Sequence, residues 1–282
     1  MQAHRGQYSV AIMSRAFEVS PSGYHAYCQR PPSPRALEDQ LIVQQLRLLR
    51  TRTRRAYGSP RMRRALVKRG HACGRHRIAR LMRENDLAAR RKKRFRCTTD
   101  SNHRFPIAPN LLQRHFRAAA PNRVWVSDVT YVWTREGWLY FSATLDLFSR
   151  RVVGWSFGTE NDTALVLGAL DMAIQTRRPE PGLIFHSDRG STYASSAFRA
   201  ELDRHGLVAS MSRKGDCWDN AVAESFFASL KGEWLQERGY ETIAEAKADL
   251  FRYVEEFYNR ERLHSTLGYL SPAEFEATTV HV

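Results

Sequence analysis

Three carboxylates stand in dissimilar sequence settings. Asp128 interrupts the apolar run Val124-Trp-Val-Ser-Asp-Val-Thr-Tyr-Val-Trp133, Asp188 closes Leu183-Ile-Phe-His-Ser-Asp188, and Glu224 sits among Ala221, Val222, Phe226 and Phe227. Fifty-nine residues separate the first pair and thirty-five the second. An unpaired carboxylate inside an apolar run is costly unless a cation or hydrogen-bond donors meet it. Hard divalent ions take carboxylate oxygens, and two of them about 3.5–4 Å apart can clamp the attacking and leaving oxygens of a phosphodiester. The chemistry this set points to is metal-dependent phosphoryl transfer. The competing readings are a hydrogen-bonded Asp128 at a sheet edge, an Asx turn at Asp188 and a surface glutamate at Glu224.

Other polar residues accompany the trio. Lys231 follows Glu224 by seven residues, nearly two helical turns, and so shares its face. Asn220, one turn before Glu224, either positions a phosphate or ligand carboxylate or caps the helix. His186 either approaches substrate or closes its strand. Ser187 is read as a turn former rather than a nucleophile.

These side chains need a frame. β-Branched and aromatic residues cluster in Val124–Thr134, Trp138–Leu147 and Arg151–Phe157, with turn residues Glu136-Gly137 and Ser149-Arg150 between them, which predicts an antiparallel meander. Helical spacing follows over Asp162–Thr176, then a short strand Leu183–His186, a helix Ser195–His205 and a strand Leu207–Met211. The expected product is an α/β domain: a mixed five-stranded sheet flanked by helices, in the element order of the ribonuclease-H-like fold. Two strands and the helix around Glu224 then bring the carboxylates together. A long helix Ile243–Tyr258, a stop at Gly268 and a new start at Ser271-Pro272 with Glu274 complete the chain.

Charge divides the molecule. Of 282 residues with net charge +15, residues 1–120 hold 27 Lys/Arg against 6 Asp/Glu, and residues 121–282 hold 17 against 23. The first part is thus +21 and the second −6. A basic part supplies phosphate contacts, and an acidic part concentrates metal ions. Residues 9–27 read as two short helices, Arg30-Pro-Pro-Ser-Pro-Arg35 as a linker, and Arg35–Thr53 as an amphipathic helix. Ser59 as N-cap and Pro60 start another helix, which Gly70 stops. The next begins near Gly74, carrying Ile78, Leu81 and Met82 inward and Arg75, Arg77, Arg80 and Arg83 elsewhere. Helix, short turn, helix is either a helix-turn-helix, whose second helix reads the major groove, or an ordinary helical hairpin. The run Arg90-Arg91-Lys92-Lys93-Arg94 is read as a phosphate-tracking linker.

The expected parts are residues 1–34, a helical segment and linker; 35–96, the basic helix-turn-helix region; 97–121, a linker; 122–240, the catalytic core; and 241–282, a helical extension. Cys28, Cys73, Cys97 and Cys217 have no C-x-x-C spacing, which fits a reducing cytoplasm and argues against structural zinc at His71-Ala-Cys-Gly-Arg-His76. No apolar run approaches the roughly 18 residues of a membrane span.

The strings Trp125-Val-Ser-Asp128-Val-Thr-Tyr131, His186-Ser-Asp188-Arg-Gly-Ser-Thr-Tyr193, Ser212 to Phe227 around Glu224, and Tyr258-Asn-Arg-Glu-Arg262-Leu-His264 through Ser271-Pro272 together resemble one family. It is the insertion-sequence-three family of bacterial DDE transposases, in its downstream-frame subunit, OrfB, with a retroviral-integrase-like core. Thr192 stands where the family pattern has Gln. The resemblance implies DNA cleavage and strand transfer at element ends, with Asp128, Asp188 and Glu224 holding two Mg²⁺ ions, Mn²⁺ being the plausible substitute. It also implies that Lys231 lies against DNA at the active site. Arg262 and His264 either touch backbone phosphates or belong to a tail whose role is only in folding. Expected partners are double-stranded DNA of element ends and target, an upstream-frame OrfA subunit or fusion, and further copies of this chain on DNA, in the bacterial nucleoid rather than at a membrane. No leucine-zipper pattern of the upstream-frame kind occurs in these residues. The competing functions are a catalytically inactive DNA-binding repressor of transposition and a nuclease for RNA–DNA hybrids on the same fold.

Overall fold

A meander of three antiparallel strands founds the sheet because each strand is rich in side chains that suit a pleated, half-buried surface. The computed structural model describes residues 1–90, 105–213, 217–235 and 239–279. β1 (Val124–Thr134) pairs antiparallel with β2 (Gly137–Asp146) in unbroken register from Trp125 opposite Asp146 to Thr134 opposite Gly137. β2 pairs with β3 (Val152–Gly158), with an irregularity at Thr144/Leu145. β4 (Ile184–Ser187) adds parallel to the free side of β1, and β5 (Val208–Met211) adds parallel to β4. The order is therefore β3-β2-β1-β4-β5, the mixed five-stranded sheet expected from the sequence.

Helices cover both faces. On one face lie α6 (Thr163–Arg177), capped by the Asp162 side chain, and α8 (Ser196–Arg204), reached through the short α7 (Ser191–Ala194). Their core joins Trp125, Val153, Phe185 and Phe198 to Val166 and Leu170. The opposite face receives α9 (Ala221–Ser229), whose Phe226 and Phe227 meet Phe141 at ring-centroid distances of 6.3 and 5.8 Å. α9 runs into a π-helical turn, Leu230–Trp234. The expected helix over 243–258 is α10 (Ile243–Arg252) continued as a second π-helical stretch, Tyr253–Tyr258. α11 (Pro272–Thr279) begins in the expected capping box: Ser271 N–H donates to Glu274 and Glu274 N–H donates to the Ser271 hydroxyl.

The N-terminal part is helical: α1 (Val10–Ala16), α2 (Pro21–Gln29), α3 (Pro34–Arg52), α4 (Ser59–Lys68) and α5 (Arg75–Glu84). Gly58, not Ser59, is the N-cap of α4, and Ser59 opens the helix without a side-chain cap. Ile78, Leu81 and Met82 are buried against Ile42, Leu46, Met62 and Leu66, as their spacing predicted. This unit is ion-paired to the C-terminal part through Arg54–Asp249 (2.8 Å), Arg61–Glu233 (3.0 Å), Lys68–Glu274 (2.7 Å) and Arg52–Glu261. The Tyr57 hydroxyl donates to the Glu261 carbonyl and accepts from Leu263 N–H. Among the described residues no helix is long and apolar enough to cross a membrane. Arg91, Lys92 and Lys93 lie outside the described residues.

Candidate active site

Where β1 outruns β4, the sheet opens. The last rung between them is Val126–His186, and Asp128 lies two residues further along β1. Asp188 directly follows β4. Continuing the parallel register sets Asp188 level with Asp128, one strand spacing of about 4.8 Å across. Carboxyl ends of parallel strands are where such open sheets receive ligands. Asp128 and Asp188 line one cavity of about 210 Å³ with Tyr131, Tyr140, Asn161 and Thr192.

The third carboxylate arrives on α9. Asn220, just before that helix, was expected to act on phosphate or to cap. It makes no cap hydrogen bond, and its amide instead donates to the Ser127 carbonyl at 3.4 Å, beside Asp128, while its buried side-chain oxygen has no hydrogen-bond partner. The preceding turn is held by Asp219, whose carboxylate accepts from Arg213, Arg114 and Asn110 and is kept well below the usual carboxylate range chiefly by Arg213. Glu224 then falls in the first turn of α9, half-buried, and burial raises its pKa.

Electrostatics ties the group together. Burial raises the Asp128 carboxyl well above its ordinary value, the charges of Asp188 and Glu224 add to that, and Val129 N–H at 2.8 Å and the Lys231 charge oppose it. Asp188 also accepts from Gly190 N–H at 2.9 Å, so the Asx turn weighed from sequence is present and leaves the carboxylate in the cavity. Lys231 has its ammonium 4.9 Å from the centroid of the Tyr131 ring; burial lowers its pKa, and the Asp128 charge only partly opposes that. Beneath Asp128, the Ser127 hydroxyl hydrogen-bonds to Tyr193 at 2.9 Å and to Thr144 at 3.2 Å. Tyr193 is buried with its pKa raised well above 10, so its phenol stays neutral. Among the described residues no group of three or more His, Cys, Asp or Glu side chains stands close enough together to hold a metal ion. The structure thus brings Asp128 and Asp188 to one cavity, with Glu224 and Lys231 in electrostatic reach of Asp128.

Several expected contacts are placed elsewhere. Arg262 is 4% exposed, clamped between Glu233 (2.6 and 2.8 Å) and the Ser229 hydroxyl (2.9 Å). His264 is buried beside it, and burial together with Arg262 pushes its pKa down to about 2, so it carries no charge for a phosphate. Both are corrected from DNA contacts to interior residues. His186 is likewise interior, hydrogen-bonded to Ser210 and Ser212, with its pKa lowered by burial to about 4. On α5, Arg77 pairs with Asp39 (2.6 Å) and Glu38 (2.8 Å), and Arg80 with Asp39 (2.7 Å) and Glu84 (2.8 Å). The pairs with Glu38 and Asp39 fasten α5 to α3. Arg75 remains exposed.

Sequence reasoning missed two features. Tyr131 and Tyr140, paired across the strands, wall the cavity; their alternation with Trp133 and Trp138 was the available signal. The other is a cavity of about 480 Å³ lined by Arg50, Thr51, Arg54, Arg55 and Arg90. Arg54 reaches Asp249, whereas the buried Nε of Arg50 has no hydrogen-bond partner. Arg54 and Arg55 both hold left-handed backbone, with φ of 47° and 66°, a conformation non-glycine residues adopt at a cost. No spacing rule in the sequence announces that turn.

Two models of an integrase core domain match residues 118–217 and 205–272, and one of an HTH-like domain matches residues 36–95. Insertion element IS600 of Shigella sonnei encodes an uncharacterized 31 kDa protein that is 44% identical over 263 residues, covering 93% of this chain and 97% of that one. Transposase InsF for insertion sequence IS3A of Escherichia coli is 37% identical over 278 residues, 98% of this chain and 96% of its own. Among solved structures, a simian T-cell lymphotropic virus intasome in complex with a PP2A regulatory subunit aligns over 76% of this chain and 70% of its own, at 14% identity and a TM-score of 0.45.

Proposed function

The chain belongs to the insertion-sequence transposases that carry an integrase core and an HTH-like domain, and on that premise we propose that it cuts and joins DNA at the ends of its element. The observation that carries this reading is the meeting of Asp128 and Asp188 in one cavity, with Glu224 and Lys231 acting on Asp128.

The donor set suits a hard divalent ion. Carboxylate oxygens are what Mg²⁺ takes, and ionised Asp128 is penalised by burial and by two neighbouring charges until a cation offsets them. Asp128 and Asp188 are the residues that would hold it, and Glu224, which acts on Asp128 without standing in one metal-binding group with the pair, would have to draw nearer to complete the set. When bound, such ions supply Lewis-acid stabilisation of the oxygens that gain charge during displacement at phosphorus. Asn220 fixes the start of α9 to β1 and so sets the distance from which Glu224 acts. Lys231 places a positive charge beside Tyr131, where it neutralises and orients a phosphate approaching the carboxylates.

The chemistry is two displacements. A water oxygen first bonds to phosphorus as the bond to the 3′-oxygen breaks, freeing a 3′-hydroxyl. That hydroxyl then attacks a second phosphodiester, whose own 3′-oxygen leaves. One phosphate ester forms for each one broken in the joining step, so no external energy source is needed. The helical unit and its arginine-lined cavity supply charge for the DNA backbone. Arg75 and the basic run that includes Arg91, Lys92 and Lys93 are further candidates for that role.

The test is a strand-transfer assay with end oligonucleotides, Mg²⁺ or Mn²⁺, and the upstream-frame partner. Wild-type chain should nick and join; Asp128→Asn should lose at least about 100-fold, the scale of removing one transition-state contact. DNA binding without either reaction would instead favour a repressor, and cleavage of RNA–DNA hybrids without joining a nuclease.

A further inference from the structure

The tip of the β1–β2 hairpin carries an exposed aromatic patch. Tyr131 and Trp133 on β1 stand opposite Tyr140 and Trp138 on β2, so all four share one face of the sheet. Their rings interlock: Trp133–Trp138 at 4.8 Å and Tyr131–Trp138 at 5.0 Å are edge-to-face pairs. Along the same face α6 covers the sheet around Trp125 and Val153. Tyr131, Trp133 and Trp138 are 37%, 52% and 45% exposed. The two indoles above all forgo burial that an aromatic-rich core elsewhere in this chain obtains.

Three observations say what covers them. The patch is continuous with the catalytic cavity, since Tyr131 and Tyr140 belong to both. Lys231 stacks its ammonium on Tyr131, giving the cavity end of the patch a positive charge suited to a phosphate backbone. The uncovered area of the three rings is roughly 300 Å², taking about 150–250 Å² for a whole aromatic side chain, and a stable protein partner needs about 800 Å² on each side.

We propose that this face is a stacking platform for unpaired bases of the DNA strand whose phosphodiester enters the cavity. The inference rests on the strand-cutting reading above. A phosphodiester seated between Asp128 and Asp188 brings its flanking bases to Tyr131 and Tyr140, which line the same cavity. Bases that leave the stack there lose stacking free energy that fresh aromatic faces return. Every base has a π-face, so the platform serves any sequence. It holds the displaced strand while the carboxylates act.

The experiment uses the full chain in EDTA with a 12-nucleotide single-stranded DNA carrying 2-aminopurine, and the same sequence as a blunt duplex. The single strand should quench tryptophan emission on binding. Trp133→Ala/Trp138→Ala should weaken single-strand binding roughly tenfold or more, the effect of losing one to two stacked bases, with duplex binding within about twofold. Trp133→Phe/Trp138→Phe should restore most of the affinity, which separates a lost platform from a misfolded hairpin. Unchanged single-strand binding in a folded Ala variant overturns the proposal. So does a loss of self-association, by sedimentation, with DNA binding intact, because the patch would then be covered by a second copy. Since no metal or turnover is involved, a catalytically silent wild-type chain would count against the strand-cutting reading while leaving this measurement readable. With an active chain, the variant should lose more activity on fully paired ends than on ends with the terminal bases left unpaired; an equal loss on both also overturns it.

Discussion

Asp128 is the least comfortable residue of the core and the most informative. It interrupts a strand whose neighbours Trp125 and Val126 are fully buried, and its ionised form is opposed first by burial, then by Asp188 and by Glu224. A side chain that served only the fold would be replaced at little cost by a neutral one of the same shape, and sites that work against stability are where function is expected. Asp128→Asn should therefore raise the melting temperature in metal-free buffer, by about 2–4 °C for each kcal/mol relieved in a chain of this size. Adding Mg²⁺ should raise the wild-type melting temperature, as any ligand of the native state does, and leave the variant where it was. A variant that melts lower than wild type without metal, and shifts equally with it, would mean that Asp128 is paired for stability alone. Arg262 is the contrasting residue. Its family-like string suggested DNA, yet its guanidinium spends its donors on Glu233 and Ser229 inside the protein.

At the scale of elements, close approach decides which parts can move. β3 lies so near α6 that a Cβ on Gly154 would run into the Ala169 carbonyl and Ala173. Gly154→Ala should cost about 1–3 kcal/mol, as overpacking does, or more, because backbone as well as side chain must shift. Urea unfolding checks it, and a loss below about 0.5 kcal/mol would show that the layer yields. The strands and helices themselves were legible because their signals are local: alternation in β1 to β3, 3.6-residue spacing in α3 and α6, the Ser271–Glu274 capping box. Asp128 and Asp188 stood out in the sequence by type and order, and the structure gives them one cavity. What sequence hid was long-range. Arg77 and Arg80 look like free groove contacts until α3 folds against them and presents Asp39. Asn220 looks like a cap until β1 offers the Ser127 carbonyl. Both are choices among partners that only the tertiary fold supplies. The π-helical stretches after α9 and α10 likewise have no signal in a 3.6-residue period.

For the whole molecule the question is where a chain with +21 on its first 120 residues meets DNA. Counting arginines along α5 overstates its share, because Arg77 and Arg80 are neutralised by Glu38, Asp39 and Glu84. The cavity at the end of α3 is lined by Arg50, Arg54, Arg55 and Arg90; Arg54 is met by Asp249, and the Nε of Arg50 is buried without a hydrogen-bond partner. Like charges gathered on a strained turn are paid for most directly by an anion, and the backbone phosphate of DNA is the anion this family meets. In sequence, Arg90 is followed directly by the basic run Arg91-Lys92-Lys93-Arg94. Binding to duplex DNA, measured over a range of salt concentrations without divalent metal, should weaken with a slope of about −0.9 for each phosphate neutralised. Arg50→Ala and Arg55→Ala should each reduce that slope by about 1 and weaken binding alike on all sequences, the mark of backbone contacts. Arg80→Ala should leave the slope in place and lower the stability of the helical unit, since its partners are Asp39 and Glu84. If instead Arg80→Ala flattens the slope and the Arg50 and Arg55 variants do not, then α5 opens from α3 on DNA, and the ion pairs between them are a latch rather than a fastening.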